Sequence, residues 1–314
     1  MIETSSPVNY NLAVSKAFLA VMCALALGAC EKKPAKGDTG AVNALDRAGG
    51  TATTPTGPVD ETPLQGIDVT PLKADKQKLF YKLVGSLSSP CGKAHSLRTS
   101  YASDTDCKRA PFAVRYIASL VDEELSEAEI REYFDKKYIT AGKPVKLDVA
   151  KAPRHGNEDA AIKLTEFFDY ECPHCAMFKP MLEAVVKTFE GKVVVYYMMF
   201  PLEKHTDSKS AAMAALAANQ LGKFKEMHDV LFEKSPLHGR EAVMGYAKQI
   251  GLDVNAFTSA YDSAAAQVNA DLAQGDTAGV EATPTLYFND RKYEGPMHPK
   301  YIAMWIDEEL AVNR

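Results

Sequence analysis

The residues of this sequence with the clearest capacity for chemistry are two cysteines separated by a dipeptide, in Cys172-Pro173-His174-Cys175. An apolar run at Ile162–Phe168, which predicts a buried strand, ends just before them, and helical periodicity begins just after them. Residues i and i+3 of a helix lie on one face about 5–6 Å apart, which matches the Cα separation in a disulfide. The pair is therefore placed to carry out thiol–disulfide exchange.

The two cysteines are predicted to differ in role because they differ in position on the helix. Cys172 lies at the N-terminus, where free N–H groups and the helix dipole favour the thiolate. A free thiol with a pKa of about 8.5 is about 3% ionised at pH 7, so a lowered pKa raises its reactivity and makes it a better leaving group. We expect a partly exposed Cys172 to be the attacking and leaving sulfur, and the more buried Cys175 to be the resolving thiol.

Closely spaced cysteines also occur in zinc sites and in structural disulfides. A zinc site needs four ligands, and the sequence has no second Cys-x-x-Cys and no histidine pair at ligand spacing. Structural disulfides rarely span three residues inside a helix. We therefore predict redox chemistry with no metal and no cofactor. Four scattered histidines are predicted to be surface residues: His205, His228, His238 and His298.

Strand patterns alternate with helical patterns around the cysteine pair, which predicts an α/β sheet. These elements are expected to hold the pair at a strand-to-helix junction. After the first strand the predicted elements are a helix at 173–189, a strand at 192–200, helices between 208 and 274 with Gly275 ending the last, a strand at 285–288, a hairpin partner at 291–293 and a helix at 299–310.

Residues 70–141 are predicted to form a small all-α domain that precedes the sheet. Thr70-Pro71 has the pattern of an N-cap followed by proline at the first helical position. Ser126 with Glu129 has the pattern of a capping box. With about seventy residues, such a domain is near the size at which cross-links aid stability.

Cys91 and Cys107 lie in this helical region and are predicted to form a structural disulfide. Cys91 lies in a turn pattern, and Cys107 lies just before an expected helix. Closing a loop of about sixteen residues stabilises a domain by roughly 3 kcal/mol in the chain-entropy account. The alternative is a second redox pair that passes electrons to Cys172 and Cys175, although neither cysteine has a Cys-x-x-Cys neighbour to tune it.

The first thirty residues predict export and attachment to a membrane. The apolar run at 17–29 is too short to span about 30 Å of hydrocarbon but suits the core of a signal peptide. Its end, Leu-Gly-Ala-Cys, resembles a bacterial lipobox, which implies a signal peptide at 1–29 and a lipid on Cys30. A plain secretory signal with an incidental Cys30 is the alternative. Residues 30–69, rich in Gly, Pro, Thr and Ala, predict a disordered tether.

Composition and compartment restrict the partners. Lys and Arg number 36 against 41 Asp and Glu, a net charge of −5 with no basic stripe, which argues against a nucleic-acid partner. Outside the cytosol disulfides persist, so cysteines there tend to be paired or redox-active. We expect the protein on the periplasmic side of a bacterial membrane, lipid-anchored, with the outer membrane favoured over the inner.

The active-site segment resembles that of the DsbA-type family within the thioredoxin superfamily. Residues 166–175, Glu-Phe-Phe-Asp-Tyr-Glu-Cys-Pro-His-Cys, carry the resemblance, and the Pro-His pair is the one found in strongly oxidising members. It implies an α/β, thioredoxin-like fold with a DsbA-type helical insertion over 155–314. It also implies that Glu166 is a buried acid that assists proton transfer at the buried thiol; an exposed edge position is the alternative.

A second matching segment is residues 279–285, Gly-Val-Glu-Ala-Thr-Pro-Thr. Thioredoxin-like proteins carry a cis-proline that faces the cysteines, and the resemblance implies this for Pro284. The cis form of an X–Pro bond costs only about 0.5–1 kcal/mol. The backbone of Thr283 would then line a groove where an extended substrate adds as a strand. An ordinary trans turn proline is the alternative.

Two positions depart from the oxidase of this family and leave the direction of electron flow open. Thr283, rather than Val, precedes the proline, which resembles isomerase and reductase branches, and Lys179 stands where the oxidase has an acid. We expect a thiol–disulfide oxidoreductase, most simply a disulfide oxidase or isomerase. The alternatives are a reductase dedicated to one client, for example in cytochrome c maturation, and a non-catalytic peptide-binding chaperone.

Three kinds of partner are expected for an exported, lipid-anchored thiol–disulfide oxidoreductase. They are exported client proteins with thiols or disulfides, a membrane redox partner that recycles the cysteine pair, and the membrane itself through the lipid anchor.

Overall fold

A mixed sheet forms the centre of the region that carries the cysteine pair. A computed structural model describes residues 58–312 of the chain. The strands in that range are β1 Arg154–His155, β2 Ile162–Phe168, β3 Val193–Met199, β4 Thr285–Phe288 and β5 Arg291–Lys292. Their order across the sheet is β1-β3-β2-β4-β5. Only the β2–β3 pair is parallel; β1, β4 and β5 each join antiparallel.

The two central strands are the most apolar, because both of their faces are covered. Every residue of β3 is buried, and only Lys163 is exposed in β2. A parallel pair cannot be closed by a tight turn and needs a crossover, usually a helix. That crossover is helix α5, Pro173–Thr188. The redox pair therefore lies at the start of the connection between the two central strands.

Helices surround the sheet and occupy the long interval between β3 and β4. That interval holds four consecutive helices, which correspond to the predicted helical insertion. In chain order the helices are α1 Ala74–Ser86, α2 Leu97–Ser103, α3 Ala110–Asp122, α4 Glu127–Phe134, α5 Pro173–Thr188, α6 Ser208–Gln220, α7 Phe224–Glu233, α8 Arg240–Gln249, α9 Val254–Ala278 and α10 Pro299–Val312.

The end of α9 differs from the prediction. Gly275 does not end the helix, which continues to Ala278 and is capped by Gly279 in the left-handed conformation, with φ of 80°. Position 275 requires glycine for a different reason: a Cβ there would lie 2.5 Å from the Phe200 ring. The absence of a side chain at Gly275 thus permits close packing of α9 on the residue that follows β3.

The helices before the sheet, α1 to α4, pack around an apolar cluster that also includes Tyr301 of α10. The capping box predicted at the start of α4 is present: the Ser126 side chain accepts from the Glu129 N–H, and the Glu129 carboxylate accepts from the Ser126 N–H. A π-helical turn, Asp135–Ile139, follows α4. The start predicted at Thr70-Pro71 is wrong, since α1 begins at Ala74. Thr70 instead donates through its N–H and its hydroxyl to Asp68.

The predicted tether is shorter than expected at its C-terminal side. Residues 58–69 have no helix or strand, but Leu64 and Val69 are buried in the apolar cluster of the first four helices. Asp60 also pairs with Arg98, with 2.8 Å between Oδ2 and Nε. The few apolar side chains of this stretch are therefore sufficient to pack it. The predicted signal peptide, Cys30 and the rest of the tether lie outside the described residues.

Cys91 and Cys107 are joined by a disulfide in the structure, the predicted pairing. Their Cα atoms are 5.8 Å apart, within the usual range for a disulfide. Cys107 is buried and Cys91 is exposed. The bond links the loop before α2 to the turn before α3.

A buried charge cluster connects the helices before the sheet to α10. Glu308 accepts from Arg109 at 2.7 Å, from the Lys137 ammonium at 2.9 Å and from the Tyr138 hydroxyl at 2.9 Å. The Lys137 ammonium also lies 3.4 Å from the centre of the Trp305 ring, a cation–π contact. Residues 70–141 and 155–312 are therefore packed against each other through paired charges.

Candidate active site

The structure places the cysteine pair at the junction of β2 and α5, as the pattern predicts. Cys172 is the N-cap of α5, with extended backbone, and Pro173 occupies the first turn, where a missing N–H has no cost. Cys175 lies in the first helical turn and is fully buried. Both are free thiols here, so the structure shows the reduced pair. Pro173 and His174 are exposed, where a client protein can touch them.

Cys172 is less exposed than predicted because a loop covers it. The residue is only 5% exposed. Its Sγ lies 3.4 Å from the carbonyl oxygen of Thr283. The Thr283–Pro284 peptide bond is cis, as the resemblance implies. The loop before β4 therefore brings a backbone carbonyl close to the sulfur.

The pKa values of the two thiols are shifted in opposite directions. The pKa of Cys172 is lowered to about 4, chiefly because the Cys175 thiol donates a hydrogen bond to its thiolate; backbone N–H groups of His174 and Cys175 add to this, and burial opposes it. Burial raises the pKa of Cys175, and the hydrogen bond to Cys172 and the charge of Glu166 raise it further. At neutral pH the reduced pair is thus a thiolate at Cys172 stabilised by a thiol at Cys175.

Glu166 is a buried carboxyl group on β2, the position implied by the family resemblance. It is 4% exposed, and burial raises its pKa to about 8, with a smaller contribution from the Glu183 carboxylate. At pH 7 it is mostly protonated. Because the charge of Glu166 acts on Cys175, proton loss from one group is coupled to proton loss from the other.

Lys179, where the family's oxidase has an acid, lies one turn beyond the pair on α5. It bridges two carboxylates, at 2.8 Å from Asp229 and 3.1 Å from Glu183. The lysine is therefore part of a partly exposed charge network, and that network includes the carboxylate that acts on Glu166.

Three residues directly before Cys172 form contacts that the sequence did not indicate. The Asp169 carboxylate accepts from His205 Nδ1 at 2.7 Å. The Tyr170 hydroxyl lies 3.0 Å from His228 Nδ1. The Glu171 carboxylate lies 3.3 Å from His238 Nδ1. Each residue of this tripeptide thus contacts a different histidine of the insertion.

The prediction that all four histidines lie at the surface is wrong for His228 and His238, which are buried. His298 is exposed, as predicted. His228 could have been found from the sequence, since it lies four residues after Phe224 on the apolar face of α7. His238 lies in an irregular segment between α7 and α8, where no periodicity marks it.

Fold and site together define a class: a thioredoxin-like domain with a Cys-x-x-Cys thiol pair at a strand-to-helix junction and a helical insertion between β3 and β4. A family model described as Thioredoxin matches residues 149–308. That is about half of the chain, and the chain belongs to the thioredoxin family. The predicted fold class is confirmed.

Individual relatives match about half of the chain. The chain is 33% identical over 181 residues to a protein of Herminiimonas arsenicoxydans named as a Na(+)/H(+) antiporter NhaA, covering 56% of this chain and 28% of that protein. The chain spans about a quarter of the length of the curated relatives it matches.

Two solved structures are also similar to this chain. BdbD from Bacillus subtilis, in its oxidised form, is 25% identical, with 54% of this chain and 97% of that chain covered and a TM-score of 0.48. A thioredoxin-like oxidoreductase from Silicibacter pomeroyi is 28% identical, with 50% and 91% covered and a TM-score of 0.45.

Proposed function

We propose that the protein oxidises or isomerises disulfides in exported proteins through Cys172 and Cys175. The observation that carries the proposal is a thiolate at Cys172, at the N-terminus of α5, to which the buried Cys175 thiol donates a hydrogen bond. A stabilised thiolate favours the reduced form of the enzyme, so its disulfide is a strong oxidant. It also makes Cys172 a good leaving group when a client thiol attacks.

The exchange proceeds by transfer of one disulfide. A client thiolate attacks Cys172 of the oxidised pair, the bond between Cys172 and Cys175 breaks, and Cys175 leaves as a thiolate that takes up a proton. We infer that Glu166, whose charge acts on Cys175, gives that proton. A second client thiolate then attacks the mixed disulfide, and Cys172 leaves as its stable thiolate. The client has gained a disulfide, and the enzyme has taken two electrons.

The opposite direction, a client-dedicated reductase, is favoured by one observation. Thr283 precedes the cis-proline and is in direct contact with Cys172. This residue type at that position resembles the isomerase and reductase branches of the family. The reduction potential of the pair decides between the directions: above about −150 mV supports the oxidase, and about −270 mV supports the reductase. If the protein were a non-catalytic chaperone, it would show no thiol–disulfide exchange activity.

Location and recycling are inferred from the sequence. The pattern ending at Cys30 supports a lipid anchor on the periplasmic side, with the outer membrane favoured. A membrane redox partner would then recycle the pair. Among residues 58–312, no helix combines the length and the apolar character that a membrane crossing requires. Metabolic labelling with a fatty acid, compared between the natural chain and Cys30→Ala, tests the anchor.

Trapping of clients tests the enzymatic role. Cys175→Ser removes the resolving thiol, so mixed disulfides between Cys172 and client cysteines should accumulate under oxidising conditions. Diagonal gels after alkylation measure these adducts. Cys172→Ser is the matched control and should show none. A Cys175→Ser protein without adducts in the compartment to which it is exported would contradict the proposed function.

A further inference from the structure

Glu171, the residue before Cys172, is held by its main chain and its side chain together. Its N–H donates to Asp169 Oδ1 at 2.8 Å. Its Oε1 accepts from the N–H of Asp207 at 3.2 Å and lies 3.3 Å from His238 Nδ1. The carboxylate thus joins the turn that leads into α5 to the start of α6. Any change in its charge acts one residue away from the redox sulfur.

His238 has an acceptor at each of its ring nitrogens. Nε2 lies 2.8 Å from the carbonyl oxygen of Leu231, which can only accept, so Nε2 carries a hydrogen. Nδ1 faces the Glu171 carboxylate, which in its ionised form can also only accept. A neutral imidazole has one N–H and cannot satisfy both. One additional proton on the ring or on the carboxylate is needed to make both contacts hydrogen bonds.

The surroundings favour placing that proton on the ring. Imidazole is the more basic of the two groups. His238 is fully buried, and an imidazolium beside a carboxylate gives a neutral buried pair. Tyr170 has its ring centre 6.4 Å away, Tyr246 donates to the carbonyl of the neighbouring Leu237, and Asp207 lies next to Gly239. Arg240, two residues along the chain, is paired with Asp262 at 2.6 Å. None of these supplies a cation in place of His238.

We propose that His238 is a positioning residue for Cys172: as an imidazolium it neutralises Glu171 and holds the turn from which the cysteine enters α5. Without it, a buried carboxylate beside the redox sulfur has no cation. That charge disfavours a second negative charge at Cys172. The inference rests on the proposed function only for the role of Cys172 as the reacting thiol.

The protonation state is read directly by NMR of the full chain with ¹⁵N-labelled histidine. In the reduced natural protein at pH 7 we expect His238 to carry hydrogens on both ring nitrogens. In Glu171→Gln the side-chain amide can donate to Nδ1, so we expect one hydrogen, on Nε2. A neutral His238 ring in the natural protein at pH 7 would overturn the proposal, and this measurement needs no substitution of His238 itself.

The effect on the thiol is read from the rate of Cys172 alkylation against pH. In His238→Leu the inflection should move up by about one pH unit, a tenfold loss of thiolate well below it. Adding Glu171→Gln to His238→Leu removes the unpaired charge and should return the inflection to within about 0.3 units of the natural value. His155→Leu, at an exposed position on β1, is the control and should not move it.

A packing role for His238 gives a different pattern. In that case His238→Leu shifts the inflection equally with Glu171 or Gln at position 171, and the proposal is wrong. An unshifted inflection in His238→Leu has the same meaning. If His238→Leu does not fold, His238→Gln is compared in the same two backgrounds. Client trapping by Cys175→Ser is scored separately, so failure of the proposed function does not affect this result.

Discussion

The reduced pair predicts an unusual dependence of its reduction potential on pH. With the pKa of Cys172 at about 4 and that of Cys175 raised by burial, reduction near neutral pH adds two electrons but only one proton. The potential should then fall by about 30 mV per pH unit, against about 59 mV for a pair in which both thiols take up protons. From pH 5 to pH 7, below the range in which Glu166 ionises, the fall should be about 60 mV rather than about 120 mV.

The same pKa sets the scale of the potential itself. A thiol with a pKa of about 4 stabilises the reduced state at pH 7 by about 4 kcal/mol relative to an un-ionised thiol. For a two-electron couple this corresponds to about 90 mV. Thioredoxin, with a thiol pKa of about 7 and a potential of about −270 mV, gains only about a tenth of that. We therefore expect about −190 mV or a more oxidising value at pH 7.

Equilibration in glutathione buffers, followed by acid quenching and mass spectrometry of the alkylated peptides, measures both quantities. Mass spectrometry separates the Cys172/Cys175 peptide from those of Cys91 and Cys107. The alkylation rate of Cys172 in the reduced protein should show its inflection near pH 4. A slope near 59 mV per unit between pH 5 and 7, or an inflection at or above about pH 8.5, the free-thiol value, would refute the reasoning.

Three further predictions concern stability. Burial raises the pKa of Glu166 to about 8, so the unfolded chain loses this proton above about pH 4.5 while the folded chain keeps it, and stability falls as pH rises between these values. Glu166→Gln should therefore add about 3 kcal/mol in urea unfolding at pH 7 and almost nothing at pH 4; an equal gain at both would contradict this. Replacing Cys91 and Cys107 by Ser should cost about 3 kcal/mol and leave the potential of the other pair unchanged, whereas a shifted potential would indicate a relay. Glu308→Leu should cost about 3–5 kcal/mol, because the buried Lys137 ammonium loses its carboxylate partner, while Glu203→Gln at an exposed position should change little.

Features with local signals could be predicted from the sequence. The strand before Cys172 has a continuous apolar run, and Pro173 marks the first turn of the helix after it. The capping box at Ser126 and Glu129 is likewise complete within four residues. In each case the residues that determine the structure lie next to the residues that adopt it.

Features that depend on distant partners could not be predicted in this way. His238 is buried because Glu171, 67 positions away, faces it. Gly275 resembles a helix end, but its role is set by the Phe200 ring from another element. Leu64 and Val69 are two of the few apolar residues in a polar segment, and they are buried because they pack on the first four helices. Residues 58–69 therefore look disordered by composition and are packed in the structure.

The buried charge cluster at Glu308 determines which fragments of this protein are expected to fold. Its cations come from residues 109 and 137, ahead of the sheet, and its acid comes from the final helix. Tyr301, also on that helix, donates to the carbonyl of Ser119 and packs in the same N-terminal cluster. A fragment trimmed to residues 149–308, the stretch that matches the thioredoxin family, would keep the redox pair but strip the last helix of its counter-charges. The smallest fragment expected to fold by itself therefore includes the helices ahead of the sheet, and limited proteolysis should leave those helices joined to the sheet.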